Sequence, residues 1–339
     1  MRAARLRPRK GRWFAAPAAL LVFVVATASE AGPAPAAGIA DGPTFAAVPW
    51  SELSLSAHKF FLGASTTLRA ERRPVAGLAA LLRVPPEGVG VALPDHDVVV
   101  LTSDTDLPFG RDETVTLWLD PATGAAIQAE KLTRGHDPYR KVFRYTDLGV
   151  YTWRSAPANA HEAASGPRTW TRHGGSWERS PVPLPPNLPL TDSYALLYLA
   201  SAARLDRPGV RCSLAILSEG RLVELTFTAD GLVQERASFA ETWPGGQRHR
   251  AGQVLARKVQ VSARPAGAAP GGSQVDLGFL GMRGDLTILV EDGTGIPIEL
   301  SGHAEHIGAL TVRLERATLR NPPPAADAAK PNRGTAEAP

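Results

Sequence analysis

The chain has 339 residues, 44% of them hydrophobic, and a formal net charge of +4. Six of its 37 Lys/Arg and one of its 33 Asp/Glu fall in the first forty residues, leaving 31 bases against 32 acids beyond them. That balance excludes a global basic field for nucleic acid, and the single cysteine, Cys212, excludes an intrachain disulfide framework.

The chain opens on a basic head (Arg2, Arg5, Arg7, Arg9, Lys10, Arg12) followed by an apolar run over 13–28. Ala26-Thr27-Ala28 and Ala34-Pro35-Ala36 both fit a small-x-small cleavage rule. This layout predicts a cleaved signal peptide at 1–31 and export, with the periplasm of a Gram-negative envelope as destination. Nucleotide-driven enzymes and gene regulators are then excluded. The run is shorter than the roughly 20 apolar residues a spanning helix needs, so no stable membrane anchor is expected after cleavage. No cysteine stands near its end to carry a lipid.

Residues 32–44 read as a flexible leader, and 45–180 as an N-terminal β half. At 114–119, Val115, Leu117 and Leu119 share one face. Asp104, Asp106, Asp112 and Glu113 flank Pro108-Phe109-Gly110 and read as a soluble acidic loop rather than a glycosidase pair. Between 130 and 179 aromatics alternate with arginines. Arg140, Arg144, Trp153, Trp170, Arg172 and Trp177 are the candidate surface for a lipid headgroup or an envelope protein partner. The bland alternative is a half-exposed sheet with aromatics in and arginines out. Residues 181–190, proline-rich, form a stiff connector and the best internal boundary.

The C-terminal β half, 191–320, starts with the one clear helix, 192–204. Thr191 or Asp192 caps it, and its residues are apolar almost all round, which predicts burial. Strand alternation follows at 222–228, 285–290 and 309–314. Cys212 sits in an apolar run and reads as a small buried hydrophobe. Asn321 and beyond, with three prolines at 322–324, read as a disordered tail over 321–339.

Residues 116–124, followed by Ile127, pattern like 287–295, followed by Ile298. Each reads as a strand, a turn closed by glycine (Gly124, Gly295) and a returning strand. Trp118 and Leu289 occupy the same off-phase position. The pattern is either an internal duplication or two hairpins of one turn type.

From Met282 the chain reads strand, acidic turn (Glu291-Asp292), Ile296-Pro297-Ile298 and a last strand led by Gly308. This closing section resembles that of an uncharacterised exported bacterial family, domain of unknown function 3108. The resemblance implies a mainly β fold: an antiparallel half-barrel or open barrel wrapped around one buried helix, similar to the periplasmic lipoprotein carriers. It supplies no active site.

No Gly-x-Ser-x-Gly nucleophile motif occurs, and no phosphate loop. His303-Ala304-Glu305-His306 lies between two predicted strands: an extended chain would put its histidines on opposite sides, a loop could bring them together, and Asp95-His96-Asp97 is a partner by residue type only. These read as solvated polar residues, not a metal site. The expected function is therefore a non-enzymatic exported β-domain, without metal or cofactor, holding a lipid-like or other amphipathic small molecule. The expected lining is Trp118, Tyr194, Leu197, Tyr198, Leu289 and Ile298, between the sheet and helix 192–204. The alternatives are an adaptor that docks an envelope protein and a glycan- or lipid-active hydrolase.

Overall fold

Period-two alternation runs through most of the chain, and the backbone meets it with strands. The computed structural model describes residues 45–59, 62–107, 111–267, 275, 282–304 and 308–323. The segments expected as signal peptide and leader, up to Thr44, the segment expected as tail from Pro324, and Pro108-Phe109-Gly110, Glu305 and His306 lie outside the described residues.

In the first half the strands are β1 (Trp50–Lys59), β2 (Leu62–Arg73), β3 (Val98–Leu107), β4 (Arg111–Leu119), β5 (Ala126–Arg134), β6 (Tyr139–Thr146), β7 (Gly149–Ala156) and β8 (Arg172–Arg179). In the second they are β9 (Arg211–Ser218), β10 (Arg221–Trp243), β11 (Gly246–Pro265), β12 (Met282–Glu291), β13 (Pro297–Ala304) and β14 (Gly308–Leu319). A short helix, α1 (Ala160–Ser165), lies between β7 and β8, and α2 (Leu196–Ala202) lies between β8 and β9.

All fourteen strands join one sheet in the order β8-β7-β6-β5-β4-β3-β2-β1-β14-β13-β12-β11-β10-β9. Neighbours are antiparallel. The exception is a further parallel pairing, Ala240–Thr242 beside Arg316–Thr318, by which the long β10 reaches back to β14. That contact closes β10 to β14 into a ring. Between the ends of the sheet, Glu178 Oε1 accepts from Gly220 N at 2.9 Å. The fold is a mainly antiparallel, partly closed β-barrel.

The proline-rich connector is stitched to both halves. Leu190 O accepts from Ala126 N at 2.9 Å, Thr191 N donates to Ala215 O at 2.7 Å, and Ala215 N donates to Pro189 O at 2.8 Å. The two halves form one sheet through the pairing of β1 with β14, and the described residues belong to one compact unit.

The helix is shorter than its apolar run. Asp192 caps it, accepting from Tyr194 N at 2.9 Å, but the first turn is a 3-10 turn, Ser193–Ala195, and the α-helix proper is Leu196–Ala202. Ala203 then turns extended and bridges Phe45, which ends the helix before Arg204. Leu196, Leu197, Tyr198, Leu199 and Ala200 are all buried, in one core with residues of β1 to β5 and β9 to β14. The helix fills the space the sheet encloses.

The two patterned hairpins have one geometry. Asp120 N donates to Ala125 O at 2.9 Å, and its counterpart Glu291 N donates to Ile296 O at 2.8 Å. Gly124 N and Gly295 N each donate 2.9 Å back, to Asp120 O and Glu291 O. Both ladders carry a bulge at the same place, between Trp118 and Leu119 and between Leu289 and Val290.

Candidate functional site

Strand register collects the chemistry of the first half on the sheet face turned away from α2. Cross-strand partners share a face. One row therefore runs Trp118, Gln128, Arg144, Tyr151, Trp177, and the next Thr116, Glu130, Val142, Trp153, Gly175. A third row carries Arg140, Ser155 and His173. The opposite face takes Leu117, Ala129, Phe143 and Tyr145 to the core around the helix. Within 140–145, arginines point out and aromatics point in.

Two connections wall this face. The first, 74–97, is pinned by buried polar side chains of the sheet. Gln128 Nε2 donates to Leu81 O at 3.1 Å, and Gln128 Oε1 accepts from Arg83 N at 2.8 Å. Arg144 donates to Val91 O at 2.8 Å and also to Ile127 O. Burial lowers the pKa of the Arg144 guanidinium. Gly90 makes room for it, since a Cβ there would lie 2.5 Å from the guanidinium. The second wall is 157–171. Asn159 caps α1 through Glu162 N at 3.0 Å, and the Glu162 carboxylate takes Ala158 N at 2.8 Å and Thr171 N at 3.0 Å. These hydrogen bonds hold its pKa below the usual carboxylate value. Trp170 Nε1 donates to Glu162 O at 3.0 Å, which fixes the indole.

Between the walls lies a cavity of about 870 Å³, lined by Trp118, Trp153, Trp170, Val142, Leu81 and Arg83, with Glu130, Arg140, Arg168 and His173 completing its polar rim. Glu130 is neutralised by Arg140, whose fork donates to it at 2.5 and 2.7 Å and whose pKa rises through that hydrogen bond. Arg83, Arg168 and His173 have no side-chain partner among the described residues. The groove therefore joins three indoles to an excess of positive charge.

Six candidate residues were expected to bind a headgroup or partner. Arg140, Trp153 and Trp170 meet here. Arg144 lies beneath the first wall as its anchor. Trp177 is joined to the groove only through Tyr151, whose ring stands 5.0 Å from it and 4.5 Å from Trp153. Arg172 is exposed at the start of β8. The six expected to line an internal site do not share one cavity. Trp118 faces the outer groove. Leu197 and Tyr198 are core residues of the helix, and Leu289 is buried in the second half. Ile298, also in the core, borders a separate cleft of about 440 Å³ beside Phe239 and Leu314. Tyr194 is tied into an ionic cluster: its hydroxyl donates to Glu113 at 2.6 Å and accepts from Lys131 at 3.0 Å, and Lys131 pairs with Glu113 at 2.7 Å.

Arg83, His173 and the role of 74–97 as a wall were missed from sequence, and Arg168 counted there only as one of the arginines between 130 and 179. Their only signal is negative: apolar residues at 78–82 with no strand period, then a Pro/Gly-rich run.

Asp104 and Asp106 lie on β3, and Asp112 and Glu113 on β4, not in a loop. Asp104 is held by Arg69 at 2.7 Å and by Thr114 at 2.8 Å. His96 bridges Asp95 and Asp120, 3.0 Å from each. Among the described residues no group of three or more His, Cys, Asp or Glu is placed to hold a metal ion. Cys212 is buried, which pushes its thiol pKa up to about 12.

No protein-family model matches the chain, and no curated protein does. Among solved structures, a β-barrel-like protein of domain of unknown function 1849 from Brucella abortus is similar at 11% identity and a TM-score of 0.34. The match covers 82% of this chain and 100% of that one.

Proposed function

We propose that this chain is an exported, non-catalytic β-domain that binds an anionic amphipathic small molecule in the groove of Trp118, Trp153 and Trp170. The observation that carries the reading is the meeting of three indoles with the unpaired Arg83, Arg168 and His173 around one cavity of about 870 Å³. That volume lies within the range that small-molecule sites occupy. A wholly apolar ligand would strip water from the arginines and leave them unpaired, at a cost of several kcal/mol. A small inorganic anion would leave the indole faces wet. A ligand with a negative head and an apolar body satisfies both. The groove, rather than the space beside the helix, is the proposed site because the helix already fills that space.

The test is a tryptophan-fluorescence titration with monomeric lysophosphatidylglycerol and with lysophosphatidylcholine as the zwitterionic control. The wild type binds the anionic lipid at least tenfold more tightly. The double variant Arg83→Ala/Arg168→Ala loses that preference, a change of about 1.4 kcal/mol or more. Equal affinity for both lipids, or no saturable change, contradicts the proposal.

A second reading, docking of an envelope protein, draws support from β8. This strand pairs only with β7 among the described strands, and Arg172 to Ser176 lie exposed along it. An open edge of this kind accepts an added strand.

A further inference from the structure

The groove is bordered by an apolar edge that packing does not explain. Leu81 is 57% exposed, Val84 86% and Val89 72%, and these are three of the six large hydrophobic side chains exposed among the described residues. All three stand on the first wall of the groove, where Pro85 and Pro86 lie between Val84 and Val89.

Exposed apolar residues scattered singly need no explanation, but three within nine residues of one groove wall do. This set is held outward by its anchors. Val89 N donates to Asp147 Oδ1 at 2.7 Å, and Asp147 N donates back to Val89 O at 3.1 Å. Gly88 turns there at φ +73°, and a Cβ would lie 2.7 Å from that same carboxylate oxygen. Gln128 and Arg144 fix the rest of the wall, so the valines cannot fold back onto the sheet without breaking these hydrogen bonds. Arg83 stands between Leu81 and Val84, and Arg168 faces it across the groove. Of the acids at this edge, Glu87 is paired with Arg179 at 2.7 Å, and Asp147 is held by the Val89 N–H.

Apolar tips flanked by unpaired arginines match the boundary between headgroups and acyl chains of an anionic bilayer. We propose that residues 81–89 seat the protein on such a bilayer, with Leu81, Val84 and Val89 entering it and Arg83 and Arg168 meeting its headgroups. The groove then opens directly onto the membrane surface that supplies its ligand. This inference rests on the groove being an amphiphile site. No helix among the described residues is long and apolar enough to cross a membrane, and peripheral seating needs none.

The experiment is co-sedimentation of the mature chain with vesicles of phosphatidylglycerol and phosphatidylcholine, and with vesicles of phosphatidylcholine alone, in parallel with the monomeric lysophosphatidylglycerol titration. The double variant Val84→Ser/Val89→Ser alters side chains already in water and adds no charge beside Arg83, so it leaves folding intact, as circular dichroism would verify. The expected result is wild-type binding to anionic vesicles, weakened at least tenfold in the variant, with affinity for the monomeric lipid unchanged. Anionic vesicle binding that survives in the variant overturns the seat. So does wild-type binding to monomeric lipid without vesicle binding, an outcome that would leave the groove standing and point to a protein partner for the valines. Vesicle binding that depends on the valines, with no monomeric lipid bound by the wild type, would instead remove the groove reading on which the loading route depends.

Discussion

Arg144 and Arg140 show how little residue type decides at this scale. Both project from the same sheet face, four residues apart on one strand, and sequence treats them alike. Arg144 is buried because 74–97 folds over it and supplies one of its two carbonyl acceptors, Val91 O, beside Ile127 O of β5, whereas Arg140 stays beside Glu130 on the groove rim. The alternation of 140–145 was legible, and the Val91 acceptor, in a distant connection, was not. Asp192 gives a prediction of the same kind. Its carboxylate caps the helix and accepts from the Tyr145 hydroxyl, yet desolvation raises its pKa above the ordinary 3.8. The folded chain therefore holds this proton to higher pH than the unfolded chain does. Stability falls as pH rises from the ordinary value through the raised one. In Asp192→Asn, which keeps the cap, thermal melts from pH 4 to 7 should show a flatter loss of stability than the wild type. An identical slope would mean that Asp192 does not contribute to it.

At the scale of elements, the hairpins were the most legible part of the chain. The sequence left open whether they were duplicated or merely alike. The structure gives them the same turn hydrogen bonds and the same bulge. Their surroundings differ, and this separates two substitutions that look equivalent in sequence. Gly124 turns at φ +73°, and a Cβ there would lie 2.8 Å from Phe45 and 2.9 Å from Leu214. Gly295 turns at φ +66°, with its nearest contact at 3.8 Å. Gly295→Ala should cost only the left-handed conformation, about 1 kcal/mol. Gly124→Ala adds overpacking and should cost about 2–4 kcal/mol. Urea denaturation would check this, and equal losses would mean that the neighbours at Gly124 give way freely. Helix α2 was legible from its apolar run, but its length was not. Phe45, which pairs with Ala203 where the helix stops, lies far away in the sequence.

For the molecule as a whole, the alternation revealed the class of fold, and the order of the strands came from contacts no local pattern encodes. β1 joins β14, which places the start of the sheet's first half against the end of its second. β10 is long enough to pair with β9 at one end and β14 at the other. The same closure turns Leu197, Tyr198 and Leu289 into core, and leaves the outer face of the first half, under its two walls, as the place where chemistry is concentrated. The central claim is that this face holds an anionic amphiphile. Native mass spectrometry of the chain, gently purified from the cell that makes it, with organic extraction of whatever it carries, would test this. The expected result is a reproducible adduct that extracts as an anionic lipid and is absent from Arg83→Ala/Arg168→Ala. A clean apo mass in the wild type, or an adduct that survives unchanged in that variant, would contradict it.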